Sequence, residues 1–205
     1  MKCQDCGASL VGERRTRKFC SGSCRKSHHD HLKRELARND WHSPAEIVEA
    51  ARVVMGGIDL DPASCAQANE IIKAEKFYSP RDDGLKQPWF GRVWLNPPYG
   101  RFAPKFIQRF GELFSAGPIN QGILLLGTHH LTTNWIGPLF SHHPIVCFPS
   151  KRLRFSNSIQ NPAHGSVILG LGTDRELFTE IFSEFGQLLT TATPDERAIF
   201  RKEIE

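Results

Sequence analysis

The segment Asn96-Pro97-Pro98-Tyr99 combines residue types that could perform chemistry together. Its two prolines hold φ at about −65° and lack backbone N–H donors, so the carbonyl groups of the turn are not used locally. The turn follows the strand-like run Gly91–Leu95 and presents an asparagine amide, a proline carbonyl and an aromatic face. Such a site could accept hydrogen bonds from a planar amino group and stack the ring that carries it.

Four of the six cysteines form two close pairs, Cys3-x2-Cys6 and Cys20-x3-Cys24. Each pair can occupy two corners of a zinc tetrahedron, and metal binding would stabilise a segment too small to form its own core. His28 lies on the same helical face as Cys24 and could replace a cysteine, but with four cysteines present we expect it on the surface. We therefore predict a structural Zn²⁺ site.

Positive charge is concentrated at the N-terminus. Residues 1–40 contain 10 Lys and Arg and 5 Asp and Glu, a net charge of +5, whereas the remainder of the chain carries −1. A basic appendage on a near-neutral domain points to an anionic polymer as the partner. A merely solvated basic face is the alternative.

The length of 205 residues suits one globular domain with a small appendage. We place a zinc module at residues 1–38 and the main domain at residues 39–205. The apolar runs are too short to span a bilayer, and Met1-Lys2 leads into Cys3 without a secretory signal. We expect a cytoplasmic location without a membrane partner, where Cys65 and Cys147 are small hydrophobic residues, not nucleophiles.

Helix and strand signals alternate beyond residue 40. The segment Ser43-Pro44-Ala45-Glu46 predicts a capping box with proline at the first helical position. Further helices are predicted at residues 66–76 and 102–114 and from Thr173 and Thr193, and strands at residues 58–61, 93–95, 122–126, 145–148 and 166–171. This order indicates an α/β fold with a largely parallel sheet, in which ligands bind at the carboxyl ends of strands.

These motifs together resemble a known family. Asn96-Pro97-Pro98-Tyr99 matches the catalytic (D/N)PPY motif of amino-group methyltransferases that use S-adenosylmethionine, and Asp59–Ser64 resembles the cofactor strand of the phage-type DNA N6-adenine methyltransferases. Three further segments are similar in content and order: Trp41-x-Ser43-Pro44, Asp82-Asp83-Gly84-Leu85 followed by Trp89, and Val93-Trp94-Leu95. The resemblance covers about residues 41–171 and implies a Rossmann-like class I methyltransferase sheet.

The resemblance implies a role for each residue of the turn. The Asn96 side-chain oxygen and the Pro97 carbonyl would accept the two N–H groups of an adenine amine, and Pro98 would stiffen the turn. Tyr99 would stack on an adenine flipped out of double-stranded DNA.

Cofactor contacts are implied for a second group of residues. Asp61 could orient the methionine amine or the ribose, and Asp83 could accept from the adenine amino group. Asp59 could replace Asp61, because both are expected at the same strand's end; solvated turn aspartates are the alternative. The remaining candidates are Pro62 and Ala63 in the loop, Trp41 packing on the cofactor, and Ser43, for which a simple N-cap is equally consistent.

Lys151-Arg152-Leu153-Arg154-Phe155 resembles the family's basic-aromatic segment. Lys151, Arg152 and Arg154 would contact DNA phosphates or support the site, and a solvated basic run is the alternative.

Three functions fit the sequence. The first is a site-specific DNA adenine N6-methyltransferase with a zinc module. The second is a methyltransferase with the same motif that acts on RNA or a protein glutamine, and the third is a catalytically silent DNA-binding protein on the same scaffold. The basic N-terminus and the order of the motifs favour the first, and the intact turn argues against the third.

Overall fold

The structure, a computed structural model, describes residues 2–4, 6–10, 18–27, 42–155 and 164–190. The chain divides into two compact units, Met1–Asp40 and Trp41–Glu205. The boundary predicted from the sequence falls just before this division, and the functions assigned to the two parts stay predictions. Within the described ranges, no helix is both long enough and apolar enough to cross a membrane.

The larger unit is built on one sheet, to which the described residues contribute seven strands. The strands are β1 (Leu60–Asp61), β2 (Lys76–Phe77), β3 (Gly91–Leu95), β4 (Ile119–Gly127), β5 (Ile145–Pro149), β6 (Ser166–Leu171) and β7 (Gly186–Thr190). They lie in the order β2-β1-β3-β4-β6-β5-β7. The strands β2, β1, β3 and β4 pair in parallel with their neighbours in this order. Strand β6 is antiparallel to β4 and β5, and β7 is antiparallel to β5.

Helices cover both faces of this sheet. They are α1 (Ala45–Met55), α2 (Ala66–Ile72), α3 (Ala103–Ala116), α4 (Gly137–Phe140) and α5 (Arg175–Phe182). Because successive strand residues point to opposite faces, Trp94 packs with α1, α2 and α5, whereas Val93 and Leu95 pack with α3 and α4. The predicted α/β architecture is confirmed, but the sheet is less parallel than predicted, because three of the six strand pairings among the described residues are antiparallel.

Two helix starts differ from the sequence-based expectation. Helix α1 begins at Ala45 with Pro44 as its N-cap and without a side-chain capping bond, so Ser43 does not form the predicted capping box. Helix α5 is capped by Asp174, whose carboxylate accepts from the Leu177 N–H at 2.9 Å, and not by Thr173. In both cases a neighbouring residue occupies the cap position. The helix predicted from Thr193 lies outside the described residues.

The smaller unit begins with a tight turn and continues into a helix. Gly7 adopts φ = 75° between the first cysteine pair and Ala8, whose carbonyl accepts from the Cys3 N–H at 2.8 Å. Residues 22–27 are helical, and the Ser21 hydroxyl caps this helix by accepting from the Cys24 N–H at 3.1 Å. His28 lies outside the described residues.

Candidate active site and cysteine cluster

The candidate site lies at one edge of the sheet. Because β1, β3 and β4 are parallel neighbours, the segments that follow their carboxyl ends emerge on the same side. These segments are Pro62–Ser64 after β1, Asn96–Tyr99 after β3 and Thr128–Thr132 after β4. The sheet therefore brings the predicted cofactor loop and the predicted catalytic turn to one edge.

The Asn-Pro-Pro-Tyr turn rests on a rigid base. Val93, Trp94 and Leu95 are completely buried in the sheet, and Pro97 in the turn is also buried. Asn96, Pro98 and Tyr99 are half-buried, and Gly100 is exposed. The turn thus combines a buried base with partly exposed residues, although the Asn96 Oδ1 atom is itself buried.

The side-chain amide of Asn96 is oriented by Ser43. Its Nδ2 donates to the Ser43 hydroxyl at 3.1 Å, and Ser43 is only 3% exposed. With the amide nitrogen bonded to Ser43, Oδ1 is the acceptor atom of the side chain. The two residues are 53 positions apart, so local sequence patterns did not predict this pairing.

The ring of Tyr99 contacts Phe155. The two rings meet edge to face, with centroids 6.5 Å apart and an interplanar angle of 89°. Burial raises the pKa of the Tyr99 phenol to about 12, so the hydroxyl remains neutral near pH 7. Tyr99 therefore presents a neutral aromatic ring.

This contact also places the predicted basic segment beside the turn. Phe155 is buried at the end of the segment, whereas Lys151, Arg152 and Arg154 are exposed. The buried aromatic residue anchors the segment next to Tyr99, and the three cations remain accessible to an anionic ligand.

Two buried polar side chains lie at the carboxyl end of β1, Asp61 as its last residue and Ser64 in the segment that follows. Asp61 is 2% exposed, and its Oδ1 accepts from the Ala63 N–H at 3.0 Å. Ser64 is also buried, and its hydroxyl has no hydrogen-bond partner within the part of the chain that the structure describes. A buried polar atom without a partner is destabilising unless a ligand or water satisfies it. Ser64 therefore joins the candidate ligand-binding residues, although the sequence marked it only as part of a motif.

Asp59 occupies a different place from Asp61. It precedes β1, and its carboxylate accepts from the Arg92 backbone N–H at 2.7 Å and from Arg92 Nε at 3.0 Å. These hydrogen bonds hold the pKa of Asp59 below its usual value. Arg92 lies near the start of β3 and Asn96 follows its end, so Asp59 is not at the same strand end as Asp61. The expected position of Asp59 at the carboxyl end of β1 is corrected accordingly, and its role toward the cofactor stays a prediction.

Asp83 lies in a loop that packs against the segment after β1. The backbone of Gly84 is so close to Pro62 that a Cβ atom on Gly84 would collide with the Pro62 carbonyl oxygen. Asp83 itself has φ = 55° and is half-buried, and its carboxylate lies 2.6 Å from Lys86 Nζ. The loop thus holds Asp83 near the Asp61 segment. Trp41, the remaining cofactor candidate, lies outside the described residues.

Three histidines gather after β4. The His129 ring lies 4.0 Å from the His130 ring and 4.4 Å from the His164 ring, between centroids. Burial lowers the pKa of His130 to about 4, with a further contribution from His129 and His164, so His130 is neutral. The sequence offered no sign that His164 would join the pair, because it precedes an antiparallel strand far along the chain.

The four predicted cysteines come together in the smaller unit. The Sγ atoms of Cys3, Cys6, Cys20 and Cys24 all lie within 4.8 Å of one another. The Cys6–Cys20 and Cys20–Cys24 separations are 3.6 Å and 3.4 Å. A zinc ion with Zn–S bonds of about 2.3 Å requires sulfurs about 3.8 Å apart. The cluster is therefore compatible with zinc.

The other two cysteines have structural roles. Cys65 caps α2 by accepting from the Ala68 N–H at 3.4 Å. Cys147 is completely buried, and burial raises the pKa of its thiol to about 11. The Cys147 thiol is therefore not activated as a nucleophile, whereas Cys65 Sγ lies 3.6 Å from His42 Nε2, a neighbouring base that the sequence did not reveal.

Comparison with known proteins agrees with the motifs. The family model for DNA N-6-adenine-methyltransferase (Dam) matches residues 30–166, which include the turn after β3, Asp61 and Asp83. A DNA N-6-adenine-methyltransferase of Escherichia phage T1 is 37% identical over 81 residues. This match spans 37% of the present chain and 32% of the phage protein, about a third of that relative's length. The chain belongs to the DNA N-6-adenine-methyltransferase (Dam) family.

Proposed function

We propose that the larger unit transfers a methyl group from S-adenosylmethionine to the exocyclic amine of an adenine flipped out of double-stranded DNA. The observation that carries the proposal is the arrangement of Asn96, Pro97 and Tyr99 at the carboxyl end of β3, with the Asn96 amide fixed by Ser43. The parallel strands β1, β3 and β4 support a Rossmann-like class I methyltransferase sheet.

The turn would act on the nucleophile. An exocyclic adenine amine is a poor nucleophile because its lone pair is delocalised into the ring. Asn96 Oδ1 and the Pro97 carbonyl would each accept one N–H, which localises the lone pair on nitrogen. Each hydrogen bond contributes about 1 kcal/mol, so positioning the two reactants in line supplies the larger share of the rate enhancement.

No residue of the turn acts as a base for the proton that the amine loses. Asparagine is neutral and cannot remove a proton near pH 7, and the Tyr99 phenol is held neutral by its raised pKa of about 12. As the new N–C bond forms and the bond from the methyl group to the sulfonium sulfur breaks, with the sulfur leaving as a neutral thioether, the amine nitrogen would become cationic and would then release one proton to solvent.

Tyr99 would hold the flipped base. Extruding a base from the duplex costs a few kcal/mol, and stacking on an aromatic side chain returns about 1–3 kcal/mol. The half-buried ring, supported from the side by Phe155, provides such a face.

The segment after β1 would bind the cofactor. When bound, S-adenosylmethionine would supply an electrophilic methyl group on its sulfonium sulfur. The buried Asp61 carboxylate and the unsatisfied Ser64 hydroxyl fit a ligand with an amine and ribose hydroxyls, and Asp83 would accept from its adenine amino group. Pro62 and Ala63 would border the cofactor with backbone atoms.

The basic residues would bind the DNA backbone. Lys151, Arg152 and Arg154 are exposed beside Tyr99, where phosphates near a flipped base would pass. The smaller unit, with Zn²⁺ bound by Cys3, Cys6, Cys20 and Cys24, would add a second basic surface. Family membership favours DNA over RNA or a protein glutamine as the acceptor.

A single assay tests this function. The purified protein is incubated with S-adenosylmethionine labelled in its methyl group and with separate DNA, RNA and protein acceptors, and labelled DNA is digested to nucleosides. N6-methyladenine in DNA supports the proposal, and label only in RNA or protein contradicts it. The Asn96→Ala variant should lose transfer but retain cofactor binding; loss of cofactor binding would show that the site is misassigned.

A further inference from the structure

The catalytic use of an asparagine raises a problem of orientation. The two ends of its side-chain amide have nearly the same shape, but one is an acceptor and the other carries two donors. An amine that must donate its N–H groups can bind only the oxygen. If the Asn96 side chain were turned by 180° about its last torsion, its own N–H donors would face the N–H donors of the substrate amine.

Ser43 is placed to prevent this reversal. Its hydroxyl oxygen lies 3.1 Å from Asn96 Nδ2. Because Ser43 is buried, bulk water cannot readily take its place as the acceptor. The backbone at Ser43 is fixed by Pro44 and by α1, whose Ile47 and Val48 are completely buried. Ser43 is thus a rigid acceptor for the amide nitrogen.

We propose that Ser43 is a positioning residue that selects the Asn96 amide orientation in which Oδ1 faces the substrate amine. This inference rests on the proposed catalytic role of Asn96. It replaces the two roles considered from the sequence, an N-cap and a cofactor ligand: Pro44 occupies the N-cap position, and the hydroxyl points to the catalytic turn.

Aspartate provides a matched control at position 96. A carboxylate has two equivalent oxygens, so it has no wrong orientation, and the family motif admits either residue. The need for Ser43 as an orienting acceptor should therefore disappear in the Asn96→Asp background. A merely structural role of Ser43 would remain in both backgrounds.

The test is a double-mutant cycle of Ser43→Ala and Asn96→Asp. Single-turnover methyl transfer to duplex DNA is measured at saturating cofactor and DNA, with cofactor affinity and thermal unfolding measured for each protein. We expect Ser43→Ala to lower the transfer rate about tenfold in the Asn96 background, as for the loss of one hydrogen bond. In the Asn96→Asp background the change should be less than twofold. Ser43→Thr, which keeps the hydroxyl, should restore most of the rate.

Three results would overturn the proposal: an equal loss of rate in both backgrounds, no loss in either, or weakened cofactor binding with an unchanged transfer rate. A second measurement does not depend on activity. In the NMR spectrum of the wild-type protein, the Asn96 side-chain NH₂ protons should show NOEs to the Ser43 Cβ protons, and Ser43→Ala should speed their exchange with water. Absence of these NOEs overturns the positioning role even if DNA is methylated. Their presence without DNA methylation supports the orientation and contradicts the proposed function.

Discussion

The rings of Tyr99 and Phe155 form an edge-to-face pair that joins the turn after β3 to the segment after β5. Such pairs contribute about 0.5–1.5 kcal/mol beyond the apolar area that they bury. Phe155 therefore holds both the Tyr99 ring and the segment that carries the exposed cations Arg152 and Arg154.

Two substitutions of Tyr99 distinguish a role of its aromatic ring in stacking from a role of its hydroxyl group. Tyr99→Phe keeps the aromatic face, so kcat/KM on duplex DNA should stay within a few-fold of the wild-type value. Tyr99→Ala removes the stack, worth about 1–3 kcal/mol, and should lower kcat/KM by about 5- to 150-fold. DNA with a mismatch at the target adenine should recover part of this loss, because that base is easier to flip. A Tyr99→Phe variant as impaired as Tyr99→Ala would argue against stacking.

Asp59 and Asp61 should respond differently to the same change. Asp61→Asn should weaken S-adenosylmethionine binding in a titration, because a buried carboxylate at the end of β1 is lost. Asp59→Asn should leave cofactor affinity unchanged and lower the free energy of unfolding by about 1–3 kcal/mol, because the carboxylate bonds charged Arg92. If Asp59→Asn but not Asp61→Asn reduced cofactor affinity, Asp59 and not Asp61 would be the cofactor ligand.

The effect of Asp59→Asn on stability should depend on pH. The folded-state pKa of Asp59 is lowered, so its contribution is present above its unfolded-state pKa and is lost as the pH falls through the folded-state value. The two proteins should therefore differ in urea denaturation at pH 7 and converge in acid. Glu49→Gln is a matched control, since its exposed pair with Arg52 should contribute little at any pH.

Zinc content should depend on the four clustered cysteines. Metal analysis after gentle purification should find about one zinc per chain, the stoichiometry of a four-cysteine site. Cys24→Ala should lower this content strongly, whereas Cys147→Ala, which removes a thiol buried in the larger unit, should not. A wild-type protein with almost no zinc would refute the metal site.

Removal of the basic side chains should change the salt dependence of DNA binding. For the Arg152→Ala/Arg154→Ala variant, the slope of log K against log salt should become shallower by up to about 1.8, or about 0.9 for each lost phosphate contact. Lys73→Gln is the control, since this exposed cation lies at the C-terminal end of α2, away from the carboxyl edge of the sheet. An equal change in slope for both proteins would show that the effect is only one of net charge.

The sequence predicted the features that depend on local patterns. Strand β6 was predicted with the bounds that the structure has, because Ser166 is followed by a continuous apolar run at residues 167–171 that is buried on both faces. The turn at residues 96–99 was also predicted, since its prolines determine the backbone by themselves. Strand β7 was not predicted. It is an edge strand that is mostly exposed, so its sequence lacks a regular alternation of apolar residues.

Long-range pairings were beyond local patterns. The bonds between Ser43 and Asn96 and between Asp59 and Arg92 join residues that are 53 and 33 positions apart, and they arise only once the strands are aligned. The register that places Leu60 beside Val93 puts Asp59 at the start of β3 and Asp61 toward its end. Side chains two positions apart in sequence thereby acquire different surroundings.

The close approach of Gly84 to the Pro62 carbonyl has a consequence for how this protein could be recombined with its relatives. The contact interlocks the segment after β1 with the loop before β3, and the Trp89 indole strengthens it by donating to the Gly84 carbonyl at 2.7 Å. A chimera that exchanges only one of these loops would bring a new side chain or backbone path against the other. Residues 61–64 and 82–89 therefore form one unit of exchange, and a chimera should take both segments from the same relative.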